Sequence, residues 1–339
     1  ENNKISNRQH IFCYLNNVNF DRIDVLGNNI RNIDRQVFNI NNTINPNSLT
    51  TVRNNIVMND FGLWVDAPSS YLCFFLYQGG AHIIYRNNDV RSLKTKTGNA
   101  NVYDAYLSCD VLDYEDNIWE DNITVSPTRG KNGLVKAKAG NASTIIRNVR
   151  NNNFRTTDKL ISSLTKDEKS KCYMSPWDFA TTLSKFNYEG NSIDVYRLRQ
   201  DEHDTALEAT FSKNFIRSEL IEGPIFNIDP DVSGLSKLYI TQNEISIPEK
   251  VGGQFYSASA TAPDERFSLV VCDSNIVSTG FPNIFYGMRA DELRFNNNVF
   301  TNERSSFENA PSMFHISKVG SMKGRNNSIF TNGYFGFLR

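Results

Sequence analysis

The chain lacks an uninterrupted apolar run of about 18 residues, so the sequence indicates no membrane-spanning helix and no membrane insertion. It also lacks a basic excess: 36 lysines and arginines stand against 37 aspartates and glutamates, and this balance gives no reason to expect a nucleic-acid partner. The five cysteines contain no CxxC pair, and the four histidines show no ligand spacing. The sequence therefore predicts no zinc site, no disulfide framework and no cofactor.

What the sequence does contain is a short pattern repeated along its length, in which a polar corner rich in Asn separates two apolar segments. The stretch ELRFNNNVFTN at Glu292–Asn302 is one copy. A register mark can be set two residues before the apolar residue that follows each corner, and eight of eleven marks are then Asn. Their spacing averages about 30 residues, which is typical of a solenoid. The marks are Asn28, Asn54, Asn88, Asp121, Asn152, Asn191, Ser218, Asn243, Ser274, Asn297 and Asn327.

The segments between the corners are short and rich in Val, Ile, Phe and Tyr, which favours strands over helices. Asn tolerates left-handed backbone geometry, and stacked Asn side chains can hydrogen-bond to one another along a stack. We therefore predict an all-β fold, a parallel β-helix of about eleven coils. We expect one domain over residues 1–339. Because the first residue is Glu1, we expect a processed chain or a fragment, and the uncapped first coil favours a fragment of a longer protein. The alternative is an Asn-rich sequence that forms ordinary hairpins.

Several segments interrupt the coil pattern and are predicted to be loops. The longest interval between marks contains a loop insertion at residues 157–187, within which Leu164–Phe179 includes a short charged stretch expected to form a helical turn. Acidic excursions are expected at Asp104–Asp121 and at residues 200–210, and a long exposed loop at residues 249–266. Loops on a rigid scaffold are where binding and catalysis usually occur.

On these corners, which cover about residues 20–330, the sequence resembles the right-handed parallel β-helices of the pectin-lyase-like superfamily, and within it the bacteriophage tailspikes. The resemblance implies a homotrimer on the virion tail, outside the cell, that binds host capsule or O-antigen polysaccharide and is expected to depolymerise it. It implies no catalytic residues, because the NTD, GHG and RIK motifs of polygalacturonase-like enzymes are absent. A secreted polysaccharide lyase, hydrolase or epimerase and a non-enzymatic adhesin are the alternatives.

Catalytic candidates must therefore be chosen by their chemistry. Cleavage of a glycosidic bond by hydrolysis needs two carboxylates roughly 5–10 Å apart. The stretch CDVLDYEDNIWED offers Asp110, Asp113, Glu115 and Asp116, and alternation along a strand places Asp113 and Glu115 on one face. A solvated acidic face is the alternative, and Asp201, Glu202 and Asp204 form a second candidate cluster.

Aromatic rings are the second kind of candidate, because tryptophan and tyrosine present flat apolar faces that suit sugar rings. Four of them lie in or beside the predicted loops, and core packing is the alternative for each. The insertion and the acidic stretch fall in neighbouring intervals of the pattern, so we expect them to form the walls of one groove. The predicted substrate-binding residues are Trp64, Trp119, Tyr173 and Trp177.

Overall fold

The computed structural model describes most of the chain in short continuous ranges. The described residues are 1–8, 13–42, 45, 47–66, 71–79, 82–96, 101–125, 132–138, 144–175, 177, 179, 182–199, 204–231, 233–248, 254–257, 265–280, 283–302, 314–331 and 337–338. They form two compact units, Glu1–Ala180 and Thr181–Arg339.

The first unit consists of eighteen described strands and two short helices. In chain order its elements are β1 (Lys4–Arg8), β2 (Cys13–Leu15), β3 (Arg22–Leu26), β4 (Asn29–Ile33), β5 (Phe38–Asn42), β6 (Leu49–Arg53), β7 (Ile56–Met58), β8 (Tyr71–Gly79), β9 (His82–Arg86), β10 (Asp89–Arg91), β11 (Lys94–Thr95), β12 (Asn101–Ser108), β13 (Val111–Glu115), β14 (Ile118–Glu120), β15 (Ile123–Thr124), β16 (Asn132–Lys138), β17 (Ile146–Arg150), β18 (Asn153–Arg155), α1 (Asp158–Ser163) and α2 (Lys166–Lys171).

The second unit consists, in its described residues, of strands alone. They are β19 (Thr182–Glu189), β20 (Ser192–Arg199), β21 (Asp204–Ser212), β22 (Phe215–Glu222), β23 (Pro224–Pro230), β24 (Lys237–Thr241), β25 (Glu244–Ile247), β26 (Gln254–Ser257), β27 (Phe267–Asp273), β28 (Ile276–Thr279), β29 (Asn283–Asn296), β30 (Val299–Asn302), β31 (Phe314–Arg325), β32 (Ser328–Thr331) and β33 (Phe337–Leu338).

Each strand pairs in parallel with a strand that lies one repeat away in sequence. In the first unit the strand orders are β1-β4-β7-β10-β14-β18, β3-β6-β9-β13-β17, β2-β5-β8-β12-β16 and β11-β15. In the second unit they are β20-β22-β25-β28-β30-β32 and β19-β21-β24-β27-β29-β31, with β23, β26 and β33 attached to the latter set. The prediction of an all-β chain built from parallel strands is confirmed.

In the part of the chain that the structure describes, a two-residue turn comes directly before each of the twelve strands β1, β4, β7, β10, β14, β18, β20, β22, β25, β28, β30 and β32. The first residue of each turn has a positive φ, between 54° and 66° in every case: two are Gly and the others are mostly short polar residues. The second residue is always Asn, and a strand begins directly after it. These turns are Asn2–Asn3, Gly27–Asn28, Asn54–Asn55, Asn87–Asn88, Asp116–Asn117, Asn151–Asn152, Gly190–Asn191, Lys213–Asn214, Gln242–Asn243, Ser274–Asn275, Asn297–Asn298 and Asn326–Asn327.

The second residues of these turns form an asparagine ladder inside each unit. Asn55, for example, donates from both its backbone N–H and its Nδ2 to Oδ1 of Asn88, over 3.2 and 2.8 Å. Its Nδ2 also donates to the backbone carbonyls of Val25 and Arg53. Each buried amide thus exchanges hydrogen bonds with the turns on both sides, which satisfies polar groups that would be costly to bury alone.

The structure corrects five of the eleven predicted register marks. Asn54, Ser274 and Asn297 are the positive-φ residues that come one position before the ladder asparagine. Asp121 belongs to a different turn, where its own φ is positive, and Ser218 lies inside β22. Each mark was placed by the apolar residue that follows the corner. Side chains in a strand alternate between its two faces, so an error of one residue exchanges the inward-facing and outward-facing residues. Accordingly, the +2 residues of two shifted marks, Ile56 and Ile276, are exposed.

The core of each unit contains rows of apolar side chains that continue from strand to strand. One row of the first unit runs through Ile30, Val57, Val90, Trp119 and Phe154. A row of the second unit runs through Ile193, Ile216, Ile245, Val277 and Phe300. These side chains are almost wholly removed from solvent.

Three of the predicted loops are strands for much of their length. Asp104–Asp121 spans most of β12 and all of β13 and β14; residues 204–210 lie in β21; and residues 254–257 form β26. On β13 and β14 partly exposed residues alternate with buried ones, a period of two that a count of acidic residues does not reveal. On β12 and β26, residues 102–107 and 255–257 are all buried. Residues 200–203, 249–253 and 258–264 lie outside the described residues.

The predicted helical turn is confirmed as α2. Thr165 and Glu168 form a capping box, in which the Thr165 hydroxyl accepts from the backbone of Glu168 and the Glu168 carboxylate accepts from the backbone of Thr165. A further helix, α1, precedes it and packs through Leu160 and Leu164 against Ile123. Both helices are six residues long, and no helix in the described residues is long and apolar enough to cross a membrane.

Candidate functional site

Three polar side chains meet on the outer face of the sheet that contains β9, β13 and β17. His82 Nε2 lies 2.7 Å from Asp113 Oδ2, and the other oxygen of Asp113 accepts from Nδ2 of Asn148 over 2.6 Å. The His82 side chain is 41% exposed and that of Asp113 24% exposed. We refer to His82, Asp113 and Asn148 as the histidine triad.

The strand register explains how these residues meet. Asp113 pairs with Ile84 on β9 and with Asn148 on β17, and His82 lies two residues before Ile84 on the same side of its strand. On β13 the alternating pattern buries Leu112 and Tyr114 and leaves Asp113 partly exposed. The alternation of the strand therefore directs the triad toward solvent.

Electrostatics favour the ionised form of Asp113. The hydrogen bond from His82 lowers the pKa of Asp113, which outweighs the opposite effect of its partial burial, and Asn148 acts in the same direction. A carboxylate held ionised in this way is suited to orienting a histidine or accepting a proton, and is poorly suited to donating one.

Cations neutralise the other exposed carboxylates of this face. Glu115 lies 3.2 Å from Arg150 and 3.5 Å from Arg86, and Arg86 also binds Asp116 over 2.9 Å. The register places Arg53, Arg86, Glu115 and Arg150 in one outward row. The prediction that Asp113 and Glu115 share one face is confirmed by the burial pattern of β13.

The remaining predicted acids occupy other positions. Asp110 is largely buried, and its backbone carbonyl accepts from the guanidinium of Arg147 over 2.9 Å. In the second predicted cluster, Asp204 is fully buried, while Asp201 and Glu202 lie outside the described residues. Neither Asp110 nor Asp204 presents a carboxylate to solvent on the face of the histidine triad.

Two of the four predicted aromatic platforms are interior residues. Trp119 is 0% exposed and belongs to the inward row between Val90 and Phe154, and Trp177 is 1% exposed. Because neither ring reaches solvent, the structure removes both from the set of sugar platforms. Trp64 and Tyr173 are half-buried and keep part of their surface accessible.

His82 was absent from the predicted site, because the sequence pattern showed no motif around it. The positions of the ladder asparagines would have indicated which residues of β13 and β17 lie near His82. Counting back four residues from Asn88, Asn117 and Asn152 gives Ile84, Asp113 and Asn148, which are the residues that pair across β9, β13 and β17. The predicted register marks do not give this alignment, because the mark between Asn88 and Asn152 was placed at Asp121 instead of Asn117.

One further carboxylate, Asp104, is buried inside the first unit. Its oxygens accept hydrogen bonds from the hydroxyls of Tyr85 and Tyr114, whose rings stack 5.0 Å apart. Burial raises the pKa of Asp104 to about 7, against the opposing effect of the two hydroxyl donors. Asp104 lies on the inward side of the strands that carry the histidine triad, so it has a structural role rather than access to a substrate.

The described residues contain no group of three or more His, Cys, Asp or Glu arranged to hold a metal ion. The triad can instead perform proton transfer, with a histidine oriented by a carboxylate that is itself fixed by an amide. Comparison of the chain with protein-family models, with curated proteins and with solved structures finds no match.

Proposed function

We propose that both units are right-handed parallel β-helices, with about eleven coils between them. Two observations support this architecture. Each described strand pairs in parallel with one that lies roughly 30 residues away, as expected when every coil stacks on the next. The asparagine ladder supplies a hydrogen-bonded corner at intervals of 23 to 35 residues.

The function that this surface supports best is binding and endo-cleavage of a bacterial surface polysaccharide, as in a tailspike-like receptor-binding protein of a virion tail. The supporting observation is the histidine triad on a rigid sheet face, flanked by the guanidinium groups of Arg86 and Arg150. A face built from several parallel strands suits an extended polymer, and the arginines can bind its hydroxyl and acidic groups. The resemblance of the sequence corners to tailspikes supports the same role.

In this proposal His82 is the general base. With Nε2–H donated to Asp113, the lone pair of Nδ1 is available to accept a proton. In hydrolysis that proton comes from the water that attacks the anomeric carbon, as the bond from that carbon to the glycosidic oxygen breaks. In elimination it comes from the carbon beside a uronate carboxyl group, as the neighbouring carbon–oxygen bond breaks and a double bond forms. In both reactions the leaving oxygen takes up a proton from solvent water. Asp113 orients the ring and stabilises the imidazolium that forms, and Asn148 fixes Asp113.

Hydrolysis by paired carboxylates is the second candidate, because Asp113 and Glu115 share the outer face of β13. It needs one carboxylic acid that is protonated near neutral pH. The ion pairs of Glu115 with two arginines and the lowered pKa of Asp113 both oppose that state. We therefore favour His82 over the carboxylate pair.

The test is chain shortening of purified capsules and O-antigens, followed by size-exclusion chromatography and by detection of unsaturated sugar ends. We expect His82→Gln and Asp113→Asn to reduce turnover by about 100-fold or more while leaving polysaccharide binding in place. Asp24→Asn is the matched control, because Asp24 lies in the same outward row, two strands from β9, and pairs with Arg22. Full activity in His82→Gln would exclude the histidine as the base.

We also propose that the chain assembles as a homotrimer, as the resemblance to tailspikes implies. The second unit supports self-association, since Ile276 and Phe330 are 55% and 59% exposed on outward positions of adjoining sheet rows. Native mass spectrometry is the test. A monomer at micromolar concentration would favour the secreted-enzyme alternative.

A further inference from the structure

Three lysine side chains converge on two aromatic rings beside the helices of the first unit. The ammonium groups of Lys94 and Lys159 lie 4.1 and 3.9 Å from the ring centre of Phe61. That of Lys96 lies 4.4 Å from the ring centre of Trp64, and Lys94 is 5.0 Å from the same ring. We call these five residues the basic cluster.

The folding of the helices fixes the positions of these lysines. Thr157 donates from its backbone N–H and from its hydroxyl to the two oxygens of Asp121, each over 2.7 Å, and this anchors the start of α1. Lys159 follows in the first turn of α1. Glu168 on α2 accepts from Lys96 over 2.6 Å. The ammonium groups are therefore held by packed elements.

The basic cluster has more positive charge than its neighbours neutralise. Glu168 pairs with Lys96, and the negative charge of Asp121 attracts Lys94, so these two carboxylates stand against three ammonium groups. In the part of the chain that the structure describes, neither Lys94 nor Lys159 forms an ion pair; Lys94 donates to the backbone carbonyl of Phe61. Burial lowers the pKa of Lys94, and the nearby charges of Lys159 and Lys96 lower it further, against the attraction of Asp121.

Attraction to the faces of the two rings explains where the ammonium groups lie, and it leaves the repulsion between them uncompensated. Long lysine stems commonly cover apolar surface, and here they lie over Phe61 and Trp64, which pack against a small apolar cluster. The ring faces attract the ammonium groups, a contact that is weak at an exposed site. Their convergence costs repulsion free energy, which a bound anion would offset.

We propose that the basic cluster binds the oxyanion of an acidic sugar, a carboxylate or a phosphate. The inference rests on the proposed function for the idea of a polysaccharide ligand, and it adds that this polysaccharide is acidic. Lys159 and Lys96 are exposed and can reach an anion directly, while the buried ammonium of Lys94 adds a fixed positive field behind them.

The test measures how fast individual lysines are acetylated by a limiting amount of acetic anhydride, with mass spectrometry as the readout. Sodium glucuronate, inorganic phosphate, and glucose in sodium chloride are compared at equal ionic strength. We expect glucuronate to slow the acetylation of Lys159 and Lys96 several-fold, without slowing that of the exposed Lys166 and Lys237. Protection by phosphate alone would support an oxyanion site for a phosphorylated sugar. Equal rates in all three solutions would overturn the proposal.

Variants separate binding from a purely structural role. Lys159→Gln should abolish the protection of Lys96, whereas Lys159→Arg keeps the charge and should retain it. Lys166→Gln on α2 is the matched control and should retain full protection. Melting temperatures are measured for each variant. Lys159→Gln protein that is folded and still fully protected at Lys96 would overturn the proposal.

Failure of the anion site and failure of the proposed polysaccharide cleavage give different results. His82→Gln should lose polysaccharide cleavage and keep the protection of Lys159, because the triad and the basic cluster share no residue. A wild-type protein that cleaves no polysaccharide but shows protection would retain the anion site and reject the activity. Cleavage without protection would reject only the anion site.

Discussion

Asn275 donates from Nδ2 to Oδ1 of Asn298 over 2.9 Å, and its backbone N–H donates to the same oxygen over 3.0 Å. One buried amide oxygen thus satisfies two donors of the neighbouring turn. The exposed residue before it, Asn297, has a φ of 54° and has a different role, which is to turn the backbone. The two neighbouring asparagines should therefore respond differently to substitution.

The first prediction compares these two positions. Asn298→Ala should lower the free energy of unfolding by about 2–4 kcal/mol, because it removes the acceptor of the buried backbone N–H of Asn275 and one of the acceptors of its Nδ2. Asn297→Gly should change it by less than about 1 kcal/mol, since glycine adopts a positive φ without strain. Urea unfolding followed by circular dichroism measures both. Equal costs at the two positions would contradict the ladder as the source of stability.

The second prediction concerns Asp104 and pH. Its folded pKa of about 7 is above the value near 3.9 of an unfolded chain, so the folded protein retains the proton longer. Stability should therefore fall as pH rises from about 4 to about 7 and then level off, a total loss on the order of 4 kcal/mol at most.

Asp104→Asn isolates this effect from other titrating groups. The variant cannot ionise at this position, and the hydroxyls of Tyr85 and Tyr114 can still pair with an amide. The difference in unfolding free energy between the variant and the wild type should grow in favour of the variant between pH 4 and pH 7. A difference independent of pH would show that Asp104 titrates at its ordinary value.

The third prediction follows from the burial of Trp119. Trp119→Ala should cost about 3–5 kcal/mol of stability, because it leaves a cavity in the row between Val90 and Phe154. Trp119→Phe should cost much less, since it refills most of that space and removes an indole N–H that has no partner in the described residues. Tyr173→Ala, at a half-buried position, is the surface control. Reduced polysaccharide affinity in a fully stable Trp119→Ala protein would contradict the structural role.

The fourth prediction separates the two catalytic schemes. If His82 is the base, Glu115→Gln should retain most of the turnover, because Glu115 then serves mainly to pair with Arg86 and Arg150. If the carboxylates act as a pair, the same variant should lose about 100-fold or more. Initial rates of polysaccharide shortening, measured beside binding, decide between them.

The sequence by itself determined the class of fold, because strand propensity and turn preference depend on residues that are close together in the chain. Short β-branched and aromatic segments between asparagine corners are sufficient to predict parallel strands at intervals of about 30 residues. The short charged stretch TKDEKSK is also a local signal, and it correctly indicated the helical turn of α2, whose start the capping box of Thr165 and Glu168 explains. Alternation along a strand correctly placed Asp113 and Glu115 on one face.

Only the tertiary structure decided which side of each strand is inside and which residues meet across strands. Register depends on the ladder bonds between distant turns, and an error of one residue exchanges the two faces. For that reason Ile56 and Val57 could not be assigned from the pattern, and Trp119 was read as a surface ring although it lies in the core. His82 and Asp113 are 31 residues apart in sequence, and parallel pairing alone brings them within 2.7 Å.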